Sequence, residues 1–469
     1  MKVFEKVLEK RVRERVFLNE MQFGFRPGRG TTDAVFIARQ LMEKYGEVGE
    51  DLWWAFVDLE KAYDRIPREL VRWALRSAGV EEWLVRCVMA LYEKAKTRIR
   101  CGDFCSDWFE VKVGLHQGSV ISPLLFLIVM EEVTKEICEG LPYEVLYADD
   151  LMLVARSKEA LKGKLRLWTE VLRRKGLKVN TEKTKVMVSG KAVRVPKRRC
   201  KWPCRVCGEG VGNNSIRCGE CETWVHGRCS GVRGRLANEV SFRCRDCRDG
   251  GRERNEVRES DGAFKFEGRD GEVEELEIVK SFCYLGDVLQ GNGGCEMAVG
   301  KRISVAWARF KELAGVVTAK DIPKVMKGQI YRTCIRPAML YGSETWPVRK
   351  TEEERLWRTE KRMLRWMARV DTMEEVALRE MFHVEDVRKV IRRERLRWSG
   401  HVERKEDCEW VKRIQWMKIN GRRGKGRPRT TWRSVVERDL RDCGMRIEEA
   451  QDRSRWRVLL RTIVGGPTQ

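Results

Sequence analysis

The sequence has no long apolar segment. None of its apolar runs approaches the roughly 20 residues that a membrane-spanning helix requires, and residues 1–8 alternate charged and apolar side chains, unlike a signal peptide. We therefore expect no membrane partner. Without a secretory signal, the 17 cysteines are expected to lie in a reducing compartment, where clustered cysteines bind metal ions and do not form disulfides.

Acidic residues are too few to balance the basic ones. The 469 residues include 95 Lys and Arg against 71 Asp and Glu, which gives a formal net charge of +24 and a pI near 9.5. Such an excess favours nucleic acid as the partner. A solvated basic surface is the alternative, but the excess extends over several segments. The length allows about three domains.

Two helices can be predicted in the first globular segment, residues 1–190. The N-terminal segment predicts an amphipathic helix with one apolar face, formed by Phe4, Val7, Leu8 and Val12. A second helix is predicted over 157–175, with Ser157 as its N-cap and Gly176 as its stop.

Composition changes at residue 191, where basic residues lead into a Cys-rich block at 204–247. A polar run at 248–262 follows, and its Arg, Glu, Asp and Gly content indicates a linker. Globular patterning resumes at Phe264, with a strand predicted near 278–285 and a turn at Gly286-Asp287. From Glu296 onward the pattern is mostly helical, and we find no internal repeat.

Three carboxylates lie next to apolar segments that are expected to be strands. The run at 53–57 leads directly into Asp58, and the hairpin-like stretch at 144–154 places Asp149 and Asp150 between two apolar segments. Strands of one sheet can bring these side chains together at one end. Such a cluster commonly holds two divalent ions for phosphoryl transfer. The alternative is an ordinary surface turn and a helix cap.

Several motifs around these aspartates resemble those of reverse transcriptases, in the family's order. The segments 55–64 and 147–150 resemble its two metal-binding motifs, and 114–123 resembles its template-contacting motif. Further matches are the Gly-Phe-Arg-Pro segment of LINE-type enzymes, the last palm motif and the primer grip, at 22–30, 176–185 and 282–286.

This resemblance implies an α+β right-hand polymerase with fingers, palm and thumb. It implies the following divisions: partial fingers and palm at 1–190, a zinc finger at 200–250, a linker at 251–263, the end of the palm at 264–295, a thumb at 296–350 and a basic helical region at 351–469. The implied function is RNA-directed DNA synthesis for a non-LTR retrotransposon. RNA template, DNA primer and deoxynucleotide triphosphates would be its partners.

The aspartates would hold two catalytic Mg²⁺ ions, with Asp58 and Asp149 bridging them and Asp150 binding more loosely. Tyr63 occupies the position where the family places the aromatic that excludes a ribose 2′-hydroxyl. It would therefore select deoxynucleotides, and this opposes an RNA-templated RNA polymerase. The alternative for Tyr63 is a packed palm aromatic.

Six further residues are candidates for contact with nucleotide or template. Gln117 and Gly118 would allow the template and the incoming base to approach the backbone closely. Lys183 and Lys185 would neutralise or protonate the leaving pyrophosphate, or else are solvated basic residues beside a strand. Arg26 and Arg29 would contact phosphate, although backbone geometry explains their Gly- and Pro-rich loop equally well.

The Cys-rich block contains four pairs of ligands at zinc spacing: Cys204 and Cys207, Cys218 and Cys221, His226 and Cys229, and Cys244 and Cys247. Eight ligands suffice for two structural Zn²⁺ ions, and so small a segment depends on them to fold. The order, with Trp224 before the histidine, resembles a PHD finger, and a RING finger is the alternative. The resemblance implies interleaved sites, with Cys204, Cys207, His226 and Cys229 binding one ion and Cys218, Cys221, Cys244 and Cys247 the other.

The PHD resemblance also implies a histone tail as partner. Residues 215–217 offer no aromatic for a methyl-lysine cage, which favours an unmodified tail or a structural role. In the C-terminal region a helical stripe is predicted to be core: Leu356, Trp357, Met363, Leu364 and Met367. The segment 421–429 resembles an AT-hook, but a flexible basic linker is favoured.

In LINE-type proteins, a triphosphate-clamping hairpin and an endonuclease precede these motifs. Met1 follows both, so we expect a truncated copy or an incomplete gene sequence. The main rival to an enzyme is a catalytically defective retroelement fragment that binds nucleic acid and chromatin. The resemblance implies a nuclear protein, synthesised and assembled with RNA in the cytoplasm.

Overall fold

The computed structural model describes residues 2–190, 204, 215–220, 223–230, 242–244, 247, 263–268, 272–421 and 428–462. The predicted ligands Cys207 and Cys221, nearly all of the predicted linker at 251–263, and the centre of the AT-hook-like segment lie outside these residues. The chain divides into two compact units, one formed by residues 1–192 and 264–469 and the other by residues 193–263. No helix among the described residues is long and apolar enough to cross a membrane.

The strands of the larger unit are β1 Leu52–Val57, β2 Lys96–Thr97, β3 Arg100–Cys101, β4 Phe104–Cys105, β5 Phe109–Glu110, β6 Glu144–Tyr147, β7 Asp150–Ala155 and β8 Lys185–Ser189. In the smaller unit are β9 Ser215–Arg217 and β10 Trp224–His226. Beyond it follow β11 Ala263–Glu267, β12 Val273–Val279, β13 Ser281–Tyr284 and β14 Asp287–Gln290.

The helices before the Cys-rich block are α1 Lys2–Arg13, α2 Thr31–Val48, α3 Ala62–Arg65, α4 Arg68–Ser77, α5 Glu82–Ala90, α6 Ser122–Thr134 and α7 Lys158–Arg174, and a short α8, Gly227–Ser230, lies within the block. After it come α9 Glu296–Glu312, α10 Ala314–Val317, α11 Lys324–Ile330, a π-helix Tyr331–Ile335, α12 Arg336–Leu340 and a 3₁₀ turn Ser343–Thr345. The C-terminal helices are α13 Lys350–Ala368, α14 Glu375–Phe382, α15 Val387–Glu403, α16 Trp410–Trp416, α17 Trp432–Cys443, a 3₁₀ turn Ile447–Gln451 and α18 Arg453–Thr462.

The larger unit contains a six-stranded sheet in the order β11-β12-β8-β1-β7-β6. β1 lies between β7 and β8 and is antiparallel to both, whereas β12 runs parallel to β8. All residues of β1 except Trp53 are buried, as expected for a central strand covered on both faces. Its apolar sequence therefore places it at the centre of the sheet, with Asp58 at its exit.

The predicted helix at 157–175 is confirmed. In α7 the hydroxyl of Ser157 accepts a hydrogen bond from the Ala160 N–H at 3.1 Å, and Gly176 follows the helix with φ +80°. Its predicted apolar stripe is buried and consists of Leu161, Leu165, Trp168 and Leu172. This stripe holds the helix against the sheet, where α7 contacts β1 and β7.

The predicted apolar face of the N-terminal helix is partly wrong. Leu8 and Val12 are buried in α1, but Phe4 and Val7 are 49% and 47% exposed. Glu5 takes the inner position instead, because its carboxylate accepts hydrogen bonds from the Ser119 hydroxyl at 2.9 Å and the Val120 N–H at 2.8 Å. These polar contacts therefore orient Glu5, and not Phe4 and Val7, toward the interior.

Two strand predictions also need correction. The stretch near 278–285 is two strands, β12 and β13, and Asp287 begins β14 instead of completing the turn. The sequence pattern at 109–113 also predicts a strand, but the strand there, β5, is only two residues long and lies in an exposed ribbon in which β2 pairs with β5 and β3 with β4.

Helices α9 to α15 enclose a second apolar core. The predicted core positions Leu356, Met363, Leu364 and Met367 are buried there, and Trp357 is half-buried against them. The last helices return to α2, where Trp432 packs edge-on against Phe36 with ring centres 4.7 Å apart. The C-terminal region is therefore part of the same compact unit as the six-stranded sheet.

Candidate active site

The sheet register brings the three candidate carboxylates to one edge. In the antiparallel pairing of β1 with β7, Val57 lies opposite Leu151. The next step of that register brings Asp58 beside Asp150. In the hairpin of β6 and β7, Tyr147 pairs with Asp150, so Ala148 and Asp149 form the intervening turn. Two adjacent strand ends therefore carry all three carboxylates.

The loop after α7 holds the backbone of Asp58 in place. The Asn180 N–H donates to the Asp58 carbonyl at 2.8 Å, and the Asp58 N–H donates to the hydroxyl of Thr184 at 3.2 Å. Thr184 is fully buried. These bonds continue strand-like order past the end of β1, so the Asp58 side chain starts from a rigid backbone.

Burial, together with neighbouring charge, raises the pKa of two carboxyl groups at this edge, those of Asp149 and Asp150. Burial raises the pKa of Asp149, and the Asp58 carboxylate adds to the rise. The pKa of Asp150 rises to about 6, first through burial and then through the charges of Asp149 and Asp58, although part of this residue faces solvent. The Oδ2 atom of Asp58 is buried and accepts no hydrogen bond, and its nearest cation is the Lys183 ammonium at 3.8 Å.

These features fit divalent cations. Carboxylates that raise one another's pKa are stabilised by a nearby cation, and all-oxygen donor sets suit Mg²⁺. In the described part of the chain, the oxygens of these aspartates do not all lie within 4.8 Å of one another, as the ligand atoms of the cysteine clusters do.

Tyr63 lies between the apolar core and the carboxylates. Its ring stacks on Phe126 with centres 4.5 Å apart. Its hydroxyl is buried without a hydrogen-bond partner, and burial followed by the charge of Asp149 raises its pKa. Tyr63 is thus a packed palm aromatic that also faces the carboxylates, so the two interpretations are compatible.

The candidate template residues lie in the loop before α6. Gln117 is anchored by a hydrogen bond from its amide nitrogen to the Asp64 carboxylate at 2.9 Å. Gly118 has φ +77°, and a Cβ built there meets no heavy atom within 4 Å. The backbone conformation, and not crowding within the protein, therefore favours glycine at this position.

The two candidate lysines have different surroundings. The Lys183 ammonium is 70% exposed and lies 3.8 Å from Asp58. The Lys185 ammonium lies 2.9 Å from the Glu277 carboxylate across the β8–β12 pair and donates to the carbonyl of Glu182 at 2.6 Å. Lys183 is therefore the better placed of the two to meet a substrate phosphate.

The candidate arginines bind their own loop. Arg26 donates to the carbonyls of Asn19 and Gln22 at 2.5 and 3.4 Å. Burial, and then the charge of Arg29, lowers its pKa to about 10. Arg29 donates to the Glu20 carbonyl and lies over the Phe23 ring. In this structure both guanidiniums shape the loop.

Sequence reasoning missed the supporting role of three residues at this site. The Glu5 carboxylate accepts from the Val120 N–H, the Thr184 hydroxyl accepts from the Asp58 N–H, and the Gln22 amide oxygen accepts from the Ala148 N–H at 3.0 Å. Each lies far in sequence from the residue it holds. Only Gln22 and Thr184 lie within recognisable motifs, and sequence patterns do not indicate what their side chains contact.

The smaller unit contains two clusters of potential metal ligands. One consists of Cys204, His226 and Cys229, and the other of Cys218, Cys244 and Cys247, with the ligand atoms of each cluster within 4.8 Å of one another. The β9–β10 hairpin separates them, because Cys218 lies at its turn and His226 pairs with Ser215 at its open end. For the described ligands, the membership is the interleaved one that a PHD finger implies.

Family models match both parts of the chain. One described as reverse transcriptase (RNA-dependent DNA polymerase) matches residues 1–215, and one described as PHD-finger matches residues 204–247. The chain carries a reverse transcriptase domain with an inserted PHD finger. Its curated relatives include proteins of R2 and jockey non-LTR retrotransposons.

Two of these relatives align with part of this chain. The Pol polyprotein of the R2 element of Nasonia vitripennis is 26% identical over 188 residues, covering 38% of this chain and 18% of that protein. The RNA-directed DNA polymerase from the jockey element of Drosophila funebris is 25% identical over 169 residues, covering 32% of this chain and 18% of that protein. The chain thus spans about a fifth of these relatives' length.

A solved structure is also similar to this chain. The apo telomerase of Candida tropicalis aligns with a TM-score of 0.36 and 11% identity, covering 88% of this chain and 55% of that one.

Proposed function

We propose that this chain is an RNA-directed DNA polymerase that extends a DNA primer on an RNA template with deoxynucleotide triphosphates. The observation that carries the proposal is the register of β1 with β7, which brings Asp58 to the Asp149-Asp150 turn. The reverse transcriptase match over residues 1–215 supports it independently.

Asp58 and Asp149 would hold two Mg²⁺ ions between them, with Asp150 as a looser ligand. Bound there, the ions would lower the pKa of the primer 3′-hydroxyl and stabilise charge on the triphosphate. The carboxylates must be ionised to bind the ions. Bound cations would relieve the mutual repulsion of these charges. The loop bonds that hold the Asp58 backbone keep one side of the centre rigid.

Other residues would position the substrates. Tyr63, stacked on Phe126, would exclude a ribose 2′-hydroxyl, because a packed ring cannot move aside easily. Lys183 would neutralise the triphosphate near Asp58, and Gln117 and Gly118 would border the template and the incoming base. The high net positive charge supports binding of both nucleic acid strands.

We also propose that the PHD finger binds two Zn²⁺ ions and an unmodified histone tail, which would accord with a nuclear location. The two ligand clusters support the zinc proposal. A second candidate function follows from the finger, since it forms a compact unit apart from the palm. A catalytically defective chain could still bind nucleic acid and chromatin through such a unit.

Primer extension tests the main proposal. The full chain should extend a DNA primer on an RNA template with Mg²⁺. Asp149→Asn should abolish extension while leaving the circular dichroism spectrum unchanged. The control is Asp371→Asn, an exposed aspartate between α13 and α14, which should leave extension unchanged. Equal activity of Asp149→Asn and wild type would overturn the two-ion assignment.

A further inference from the structure

An N-terminal loop lies directly against the catalytic hairpin. The Phe23 N–H donates to the Leu146 carbonyl at 2.8 Å, and the Leu146 N–H donates to the Met21 carbonyl at 2.9 Å. The loop thereby extends the edge of the sheet next to β6, just before the turn with Ala148 and Asp149. It touches the site from the side opposite to Asp58, because β7 and then β1 follow β6 in the sheet.

One side-chain oxygen in this loop bonds both backbones. The Gln22 Oε1 atom accepts from the Gly24 N–H at 2.9 Å and from the Ala148 N–H at 3.0 Å. Gln22 is 3% exposed, so neither bond competes with much water. The amide therefore connects the loop to the residue that immediately precedes Asp149.

The turn needs such a partner because Ala148 has an unfavourable backbone conformation. Its φ is +58°, in the left-handed region that residues with a Cβ rarely adopt. Ala148 is buried, and a buried N–H without an acceptor carries a further penalty. Acceptance by Gln22 removes that second penalty in the turn conformation that the structure shows.

Gly24 allows the close approach. A Cβ at this position would lie 2.5 Å from the Ala148 nitrogen, a distance at which the backbone would have to shift. Gln22 and Gly24 thus act on the same atom, one as its hydrogen-bond partner and one by leaving space beside it.

We propose that Gln22 is a positioning residue for catalysis: its amide oxygen sets the Ala148-Asp149 turn and so directs the Asp149 carboxylate toward Asp58. This inference rests on the proposed polymerase function. Gln22 touches neither substrate nor ion and acts through the turn. Groups that orient a metal ligand typically change metal affinity or activity about 10–100-fold when removed.

The test compares three variants of the full chain. Gln22→Met keeps the size and removes the acceptor, whereas Gln22→Glu keeps an acceptor oxygen at the same reach. Gln40→Met is the matched control, because Gln40 is also 3% exposed but lies on α2, where it donates to Glu43. Gln22→Asn, shorter by one methylene, replaces Gln22→Met if that variant does not fold.

Two measurements do not require polymerase activity. In the metal-free protein, hydrogen exchange of residues 144–152 should be faster in Gln22→Met than in wild type, Gln22→Glu or Gln40→Met. Mn²⁺ affinity, measured by electron paramagnetic resonance, should fall about tenfold or more in Gln22→Met. Gln22→Glu should retain it. In primer extension, Gln22→Met should lower kcat with little change in the nucleotide KM, and Gln22→Glu should restore kcat at least in part.

The outcomes separate this proposal from the proposed function. If wild type does not extend primers but Gln22→Met still speeds exchange at the turn and weakens Mn²⁺ binding, the function fails and the positioning role stands. If Gln22→Met and Gln40→Met behave alike in exchange and Mn²⁺ binding, Gln22 only fills space. Equal losses in Gln22→Met and Gln22→Glu would likewise overturn the role of its acceptor oxygen.

Discussion

The guanidinium of Arg39 donates to Oδ2 of Asp287 at 2.7 Å, and the two side chains are only 3% and 0% exposed. The same oxygen accepts from the Trp346 indole N–H at 3.1 Å. Arg39 lies on α2, Asp287 begins β14, and Trp346 follows the 3₁₀ turn after α12. One carboxylate therefore joins helix α2, the β13–β14 hairpin and the segment that follows α12.

Arg39→Met should destabilise the protein by about 3–5 kcal/mol, because it leaves the Asp287 charge buried without its cation. Chemical denaturation of the full chain measures the change. Arg76→Met, which breaks the exposed pair with Glu82, is the control and should change stability little. Adding Asp287→Asn to Arg39→Met should recover part of the loss. If Arg39→Met were no less stable than Arg76→Met, the Arg39–Asp287 pair would have no structural role.

The pKa of Asp150 predicts a pH-dependent stability of the metal-free protein. Its value of about 6 in the folded chain lies above the unfolded value of about 3.9, so the folded state binds more protons between these limits. Its contribution should be most favourable below about pH 4 and should be lost as the pH rises through about 6. Asp150→Asn should therefore raise the melting temperature relative to wild type at pH 7.5 but not at pH 4.

Melting scans in chelator at both pH values measure this difference. Added Mg²⁺ should raise the wild-type melting temperature at pH 7.5 more than that of Asp150→Asn. If the difference in melting temperature between Asp150→Asn and wild type is the same at both pH values, the pKa of Asp150 is not raised in the folded protein.

Tyr63→Ala should admit ribonucleotides while largely preserving the use of deoxynucleotides, because it removes the ring that would meet the 2′-hydroxyl. Tyr63→Phe is the matched control. The Tyr63 hydroxyl has no hydrogen-bond partner, so its removal should leave sugar selection intact. Competition between ribonucleotide and deoxynucleotide in primer extension provides the measurement. Unchanged discrimination in Tyr63→Ala would leave this residue with a packing role only.

The PHD finger should contain two zinc ions in chemically different sites. Metal analysis of the full chain should give two Zn²⁺ per molecule, and Cys204→Ser and Cys218→Ser should each lose one. Cobalt substitution distinguishes the sites, because one has a histidine and three cysteines and the other four cysteines. Cys204→Ser should retain the spectrum of the four-cysteine site. One zinc or none in wild type would contradict the PHD assignment.

Deleting residues 201–249 and closing the gap with a short Gly-Ser bridge should spare primer extension. The strands on either side, β8 and β12, pair within one sheet and must still meet. A folded deletion variant without activity would show instead that the finger contributes to the polymerase.

The local sequence was sufficient to predict those elements whose cap, apolar pattern and stop all agree. Ser157, the apolar stripe of α7 and Gly176 specify that helix without help from the rest of the chain. The N-terminal helix shows the limit. Its apolar positions predicted an inward Phe4 and Val7, but Glu5 faces inward because the Ser119 hydroxyl and the Val120 N–H supply donors that no nearby residue reveals.

The same division holds at the candidate site. The sequence by itself determined which residues could hold ions: an apolar strand that ends in Asp58, a turn carrying Asp149 and Asp150, and paired ligands at zinc spacing. Only the tertiary structure decided how those residues are oriented. Gln22 reaches Ala148 across 126 positions, Thr184 reaches Asp58 across the same separation, and Arg39 reaches Asp287 across 248. Hydrogen bonds of this kind depend on the paths of distant backbones, and periodicity along one segment carries no information about them.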